Sequence, residues 1–129
     1  MVIDTSALIA VLLDQPERRA IEDAIKSDTV RLISAMTKLE ADIVMVGRHG
    51  IDGGVALDRL IERIAAAVVP FDEHQADIAR GAFAHYGKGR HKAALNFGDC
   101  AAYALAAAEA EPLLFKGTDF GATDVEVVK

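Results

Sequence analysis

The sequence predicts an α/β fold in which a central parallel sheet of four to five strands is covered by helices on both faces. Three observations predict it. Short aliphatic runs recur along the chain at Val2-Ile3, Val30 to Ile33, Ala67 to Pro70 and Pro112 to Phe115. Each is separated from the next by stretches of helical period, and that alternation builds parallel sheets because every crossover lays a helix on a face. The core is built from Ala, Val, Ile and Leu: 52% of the chain is hydrophobic, 5% is aromatic, and Trp is absent. Alanine-rich helices approach a sheet closely, which suits this layering.

Val2-Ile3 is the first strand. Thr5 to Leu13 follows as a helix, ended by Asp14-Gln15-Pro16. Pro16 to Ser27 reads as a second helix with proline in its first turn and Ala20, Ile21, Ala24 and Ile25 at helical spacing. Val30 to Ile33 is the second strand. A helix from Met36 to His49 stops at Gly50. Gly53-Gly54 opens the next segment, and Leu57, Leu60, Ile61 and Ile64 mark a helix through Ala66. Ala67 to Pro70 is the third strand. Asp72 caps a helix to Tyr86, with Gln75 as its reciprocal partner in a capping box. Gly87 to Gly98 is a long polar loop. Asp99 opens an alanine-rich helix to Glu109, Pro112 to Phe115 is the fourth strand, and Val125 to Val127 is read as a fifth. With 129 residues and no linker, repeat or low-complexity tract, the chain reads as a single domain over 1–129.

A formal net charge of −6 argues against a protein that coats nucleic acid by charge alone. It leaves open an enzyme whose carboxylates hold metal ions, because the ions cancel that charge locally. The lone Cys100 has no partner for an internal disulfide. The start has no basic n-region, and no apolar run reaches the ~18 residues of a membrane span. A cytoplasmic protein is expected. No phosphate-cradling G-x-x-x-x-G-K-[ST] and no Rossmann fingerprint occurs. His49, His74 and His85 read as helix-surface residues with no zinc-like spacing, and Cys100 reads as a core thiol.

Four of the 20 acidic residues sit where solvated acids are not expected. Asp4 ends the first strand. Glu40 has Met36, Ile43, Val44 and Gly47 at i−4, i+3, i+4 and i+7, which puts it within an apolar stripe. Asp99 begins a helix followed on its face by Ala102, Tyr103 and Ala106. Asp119 lies just past Leu113-Leu114-Phe115. In a parallel sheet the carboxyl ends of the strands share one edge, where ligands bind. Asp4 and Asp119 meet there. Converging carboxylates repel one another and take up protons unless a divalent cation intervenes. Oxygen ligands of this kind suit Mg²⁺ or Mn²⁺. Each acid also has a plainer reading. Asp4 caps the helix at Thr5, Glu40 closes a capping box with Thr37, Asp99 is an N-cap, and Asp119 stabilises a turn.

Val2-Ile-Asp-Thr-Ser-Ala-Leu8, Leu39-Glu40, Asn96-Phe-Gly-Asp-Cys-Ala-Ala102 and Leu113-Leu-Phe-Lys-Gly-Thr-Asp-Phe120 together resemble the PIN-domain ribonucleases. Among these, the likeness is to the VapC-like toxins of toxin–antitoxin pairs, and it spans the whole chain in order. It implies a three-layer α/β/α fold and a Mg²⁺- or Mn²⁺-dependent endoribonuclease that cuts structured RNA such as tRNA or rRNA. It also implies silencing by a cognate antitoxin protein and assembly as a homodimer. The family's acidic positions carry over as Asp4, Glu40 and Asp99, with Asp119 as the fourth. Relatives often place an acid just ahead of the Asp-Phe pair, where this chain has Gly117 and Thr118, so Asp119 reads either as a ligand or as a supporting residue. Asp4 and Asp99 are the expected direct metal ligands. Water activated at the ion then hydrolyses the phosphodiester and leaves a 5′-phosphate. Thr5, Ser6 and Thr118 are expected to orient water or carboxylates by hydrogen bonds.

Lys88-Gly-Arg-His-Lys92 is the concentrated basic patch. Lys88, Arg90 and Lys92 are candidates for holding RNA phosphates, with Tyr86 and Phe97 placed to stack on a base. Two alternatives compete with the nuclease. A phosphatase working through an aspartyl-phosphate needs a second Asp two residues after Asp4, where this chain has Ser6. A catalytically weakened PIN-like module would bind RNA or antitoxin without cutting.

Overall fold

Val2 and Ile3 are wholly buried, and the rest of the sheet is arranged around them. In a computed structural model, which describes residues 1–128, β1 (Val2–Ile3) lies between β2 (Leu32–Ser34) and β4 (Leu113–Leu114). β3 (Ala67–Val69) pairs on the outer side of β2, and the order is β3-β2-β1-β4 with every pairing parallel. In register, Val2 faces Leu32 and Leu113, and Ile3 faces Leu114. The segment Val125 to Val127 contributes a single parallel bridge, Val127 to Leu113, in place of a fifth strand.

Successive strand residues point to opposite faces, so Val2 and Ile3 belong to different cores. On one face α1 (Thr5–Leu12), α2 (Arg18–Lys26) and α4 (Ile51–Arg63) bury Leu8, Ile21, Ile25, Leu57 and Leu60 with Ile3 and Ile33. On the other, α5 (Glu73–Tyr86) and α6 (Phe97–Glu109) bury Ala82, Cys100 and Leu105 with Val2, Leu95 and Leu113. Each fully buried aliphatic side chain stabilises the fold by about 2 kcal/mol. α3 (Ala35–His49) turns Thr37, Ala41 and Met45 inward. No helix among the described residues is long and apolar enough to cross a membrane.

Several boundaries differ from the sequence expectation. α4 starts at Ile51 and not after Gly53-Gly54. Gly53 is inside the helix because α3 passes against it, where a Cβ would fall 2.5 Å from the carbonyl carbon of Met45. Gly50, at φ +64°, makes the sharp corner between the two helices. α2 begins at Arg18, two residues beyond Pro16. Asp72 does cap α5 by accepting from the Gln75 N–H at 2.9 Å, but the Gln75 amide donates to Pro70 O, so no reciprocal box forms. α6 begins at Phe97, with Asn96 rather than Asp99 as its N-cap.

With all strands parallel, Asp4, Ser34, Pro70 and Phe115 mark the carboxyl-terminal edge of the sheet. Met1, Arg31, Ala66 and Pro112 mark the amino-terminal edge.

Candidate active site

Asp4 leaves β1 with its backbone N–H donating to Leu114 O at 2.9 Å. Its side chain is 3% exposed. One oxygen, Oδ2, accepts from the Ser6 N–H at 3.1 Å and from the Ser6 hydroxyl at 2.6 Å, which is the N-cap of α1. The other, Oδ1, is buried with no hydrogen-bond partner. The capping and ligand readings of Asp4 therefore do not compete: the cap takes one oxygen and leaves the other free. Burial pushes the Asp4 carboxyl up to about 6 against the pull of the Ser6 hydrogen bonds, with the Asp99 and Glu40 charges adding to the rise.

Ser6 is itself held. Its hydroxyl accepts from the Lys116 N–H at 2.9 Å, so the chain just past β4 is tied to Asp4 through Ser6. The Lys116 ammonium reaches the other way, donating to Gln15 Oε1 at 2.7 Å and lying 3.5 Å from Glu17. Sequence reasoning missed Lys116, because its role runs through its backbone and no side-chain pattern reveals that.

Glu40 comes from α3. The capping box with Thr37 does not form. Ser34 is the N-cap, accepting from the Met36 N–H, and the Thr37 hydroxyl is buried without a partner. Glu40 instead accepts a hydrogen bond from the Thr5 hydroxyl. Its carboxylate packs on the backbone of Gly98, where a Cβ would sit 2.6 Å from the Glu40 carboxyl carbon. The glycine before Asp99 is thus the space Glu40 occupies. The stripe of Met36, Ile43 and Val44 around Glu40 is not the core face. With Leu39, Phe97 and Gly98 it lines an open apolar cavity of about 250 Å³.

Asp99 is the third residue of α6 and half of a capping box. Asn96 Oδ1 accepts from the Asp99 N–H at 2.9 Å, and Asp99 Oδ2 accepts from the Asn96 N–H at 3.0 Å. The spacing Asn96-x-x-Asp99 was a readable signal for this box. Asp99 Oδ1 has no protein partner among the described residues. Partial burial raises the Asp99 carboxyl against the Asn96 hydrogen bond, and the Asp119 and Glu40 carboxylates raise it further. Asp119 opens a short 3₁₀ turn, Asp119–Ala122, and is exposed. Phe120 is buried behind it, edge-on to Phe115 at 5.1 Å, which anchors the loop. Thr118 is exposed, and its side chain makes no hydrogen bond among the described residues.

The structure therefore brings Asp4, Glu40 and Asp99 within electrostatic reach of one another, with Asp119 within reach of Asp99. Among the described residues, no three of these carboxylates already close on a point that would enclose an ion. Glu40 is turned to Thr5, and one oxygen of Asp99 to Asn96. The orphaned Asp4 Oδ1 and the all-oxygen donor set fit a hard divalent cation. Cys100, next along α6, is buried, and its thiol is pushed up to about 11 by burial and by Asp99, so it is inert.

The basic loop joins α5 to Asn96 and is well folded. Lys88 N–H donates to Leu95 O, and Leu95 N–H to Tyr86 O. Arg90 Nε donates to Ala84 O at the end of α5. Lys88 and Lys92 are exposed. Tyr86 is not free to take a base, since it packs edge-on against His91 at 5.1 Å and against Tyr103 at 6.1 Å. Phe97, 76% exposed, is the available aromatic.

A parallel sheet in the order β3-β2-β1-β4, with acids from β1, α3, α6 and the turn after β4 along one edge, is the arrangement of a PIN domain. The chain belongs to the PIN-domain family, whose model matches residues 1–126. Within that family it belongs with the VapC ribonucleases. It is 51% identical over 128 residues to Ribonuclease VapC of Mycolicibacterium smegmatis, covering 99% of each chain. It is 48% identical to Ribonuclease VapC30 of Mycobacterium tuberculosis, covering 99% of this chain and 98% of that one. Among solved structures, its fold resembles Mycobacterium tuberculosis VapC20, described as a Sarcin-Ricin loop cleaving toxin. That match has a TM-score of 0.78 and 16% identity over 96% of this chain and 95% of that one. The fold also resembles a toxin–antitoxin complex from Klebsiella pneumoniae, with a TM-score of 0.70 and 21% identity over 95% and 92% of the two chains.

Proposed function

We propose that this chain is a divalent-cation-dependent endoribonuclease, the toxin of a toxin–antitoxin pair, acting in the cytoplasm on structured RNA such as tRNA or rRNA. The observation that carries the metal-dependent reading is Asp4 Oδ1: a buried carboxylate oxygen without a partner, beside the Asp99 and Glu40 carboxylates. The names of the relatives support the nuclease and the antitoxin partner.

Asp4 and Asp99 are the residues that would hold Mg²⁺ or Mn²⁺, each through the oxygen that its cap leaves free. Glu40 and Asp119 would complete the anionic surround. When bound, such a cation supplies Lewis acidity toward a phosphate and a water of lowered pKa. The chain's own residues supply positioning. Ser6 fixes the Asp4 carboxylate, Thr5 fixes Glu40, and the Asn96 box fixes Asp99. A ligand whose rotamer is set in advance loses little freedom on binding. Lys88, Arg90 and Lys92 would hold RNA phosphates, and Thr118 would donate a hydrogen bond at the exposed side of the site.

Homodimerisation is supported by the open apolar surface of Leu39, Ile43 (64% exposed) and Phe97, an exposure that a second copy would cover. Sedimentation of Phe97→Asp against the parent tests it: the reading expects a shift to monomer. The nuclease is tested by measuring RNA cleavage by Asp4→Asn and Asp99→Asn with Mg²⁺ titrated. The reading expects near-complete loss in both, and activity in the parent that EDTA abolishes. Parent-like cleavage by either variant refutes it.

A further inference from the structure

A second cavity, of about 270 Å³, opens beside the amino-terminal edge of the sheet. Val11 reaches it from the end of α1 remote from Asp4, Arg31 immediately precedes β2, and Ile64 immediately follows α4. Its floor is apolar: Val11, Ile25 and Leu60 are all buried. Its rim is cationic, in a chain whose net charge is −6.

Arg31 is the informative residue. Its Nε donates to Ile25 O and Asp28 O, both at 2.9 Å, and its Nη1 donates to Ile64 O at 2.9 Å. All three partners are neutral carbonyls. No carboxylate pairs with Arg31 among the described residues, and Nη2 has no partner there. The guanidinium is half-buried, locked in place and uncompensated. Lys26, also on the rim, has no ion pair among the described residues, and Arg63 reaches only Glu22, at 3.8 Å. Glu22 is shared with Arg18 at 3.2 Å. A fixed guanidinium fork with free N–H groups selects a carboxylate.

We propose that this cavity docks an acidic–apolar peptide segment of a protein partner, one aliphatic side chain seated on Val11, Ile25 and Leu60 with a neighbouring Asp or Glu side chain on Arg31. The volume suits a single side chain and falls below the ~300–1,000 Å³ of small-molecule sites. An apolar floor under a cationic rim is the complement of an amphipathic acidic helix or strand. Because Arg31 is held by three backbone oxygens before the partner arrives, little ordering cost remains to be met on binding. The inference rests on the antitoxin-partner reading and adds the side-chain chemistry that partner presents.

The test uses the full chain, ¹⁵N-labelled, titrated with acetylated and amidated Leu-Glu-Leu and Leu-Gln-Leu tripeptides as probes. The expected result is amide shifts centred on Val11, Ile25 and Leu60, with the Arg31 Nε–H resonance moving. The glutamate peptide should bind about fivefold tighter than the glutamine peptide, an advantage that salt removes. Equal affinities, or shifts at the carboxyl-terminal edge instead, overturn the proposal. Arg31→Gln should erase the glutamate preference. Because Arg31 also ties three backbone oxygens, Lys26→Ala with Arg63→Ala serves as the variant that leaves those bonds intact. It should weaken the glutamate peptide selectively, and equal weakening of both peptides overturns the charge assignment. A chain that keeps the glutamate preference but forms no complex with the small protein encoded beside it retains the pocket and loses only the antitoxin reading.

Discussion

The two edges of one sheet treat charge in opposite ways. At the amino-terminal edge the Met1 ammonium, almost wholly buried, donates to Asp28 Oδ2 at 2.7 Å, Glu111 Oε2 at 2.8 Å and Val30 O at 2.7 Å. Each of its three N–H groups has an acceptor, and the two acids have a cation. At the carboxyl-terminal edge Asp4 lies in the field of Asp99 and Glu40, and Asp99 in that of Asp119 and Glu40, and among the described residues no cation pairs with any of the four. Their hydrogen bonds come from hydroxyls and backbone N–H groups, which orient carboxylates without cancelling their charge. The first arrangement closes an edge of the core. The second leaves a charge deficit of one sign at one place, which stabilises nothing by itself and is suited to a ligand of the opposite sign.

The largest effect that would break this contrast is on catalysis. Removing the charge of Asp4 or Asp99 by substitution to Asn should lower RNA cleavage by roughly 10²–10³-fold or more, read under single-turnover conditions. Gly98→Ala forces a methyl into the Glu40 carboxylate. A displacement of that size should cost about 10²-fold while thermal unfolding shows the fold retained.

The next effect is on stability, and its sign differs between the edges. Asp4 is held in its protonated form up to about 6, above its ordinary 3.8. The fold therefore has its full contribution from this group below pH 3.8 and loses it as pH rises through 6, at a cost of about 3 kcal/mol. Asp28 is lowered below its ordinary value by its hydrogen bond from the Met1 ammonium. Its contribution is present above pH 3.8 and is lost as pH falls through its lowered value. Denaturant titrations without divalent metal should show Asp4→Asn more stable than the parent at pH 7.5 and equal to it at pH 3.8. Saturating Mg²⁺ should narrow the gap at pH 7.5. At the other edge Glu111→Gln should cost about 1 kcal/mol at pH 7.5, with no response to Mg²⁺.

The smallest expected effect is at Lys116. Its backbone N–H, which holds Ser6, survives substitution, and its ammonium bonds are exposed. Lys116→Ala should lower stability by under ~1 kcal/mol and change single-turnover cleavage by less than the Gly98→Ala substitution does. A loss as large as that of Asp4→Asn would show that its side chain acts in the site directly.

The order of strands and helices was legible because burial writes a period into the sequence: Val2-Ile3 and Leu113-Leu114 are unmistakable aliphatic pairs between helical stretches. The four acids stood out in the sequence because each breaks such a pattern. What stayed hidden depended on through-space contact. Gly53 reads as a turn residue, yet it is a helix residue that Met45 presses against. Glu40 with Thr37 reads as a capping box, yet the helix starts earlier, at Ala35 with Ser34 as its cap, and Glu40 turns to Thr5. The apolar stripe around Glu40 reads as core, yet Ile43 is largely exposed, because helical period reports that a face is apolar and not what covers it. The uncompensated Arg31 had no signal at all, since what holds it is backbone oxygens, two from the turn just before it and one from Ile64 across the fold.

The most direct test is a crystal of the parent protein soaked in Mn²⁺ and measured for anomalous scattering. The account predicts a peak at the carboxyl-terminal edge, within coordination distance of Asp4 Oδ1, with Asp99 as a second ligand and no peak in crystals of Asp4→Asn. An empty edge in the parent at saturating Mn²⁺, or a peak that persists unchanged in Asp4→Asn, would contradict it.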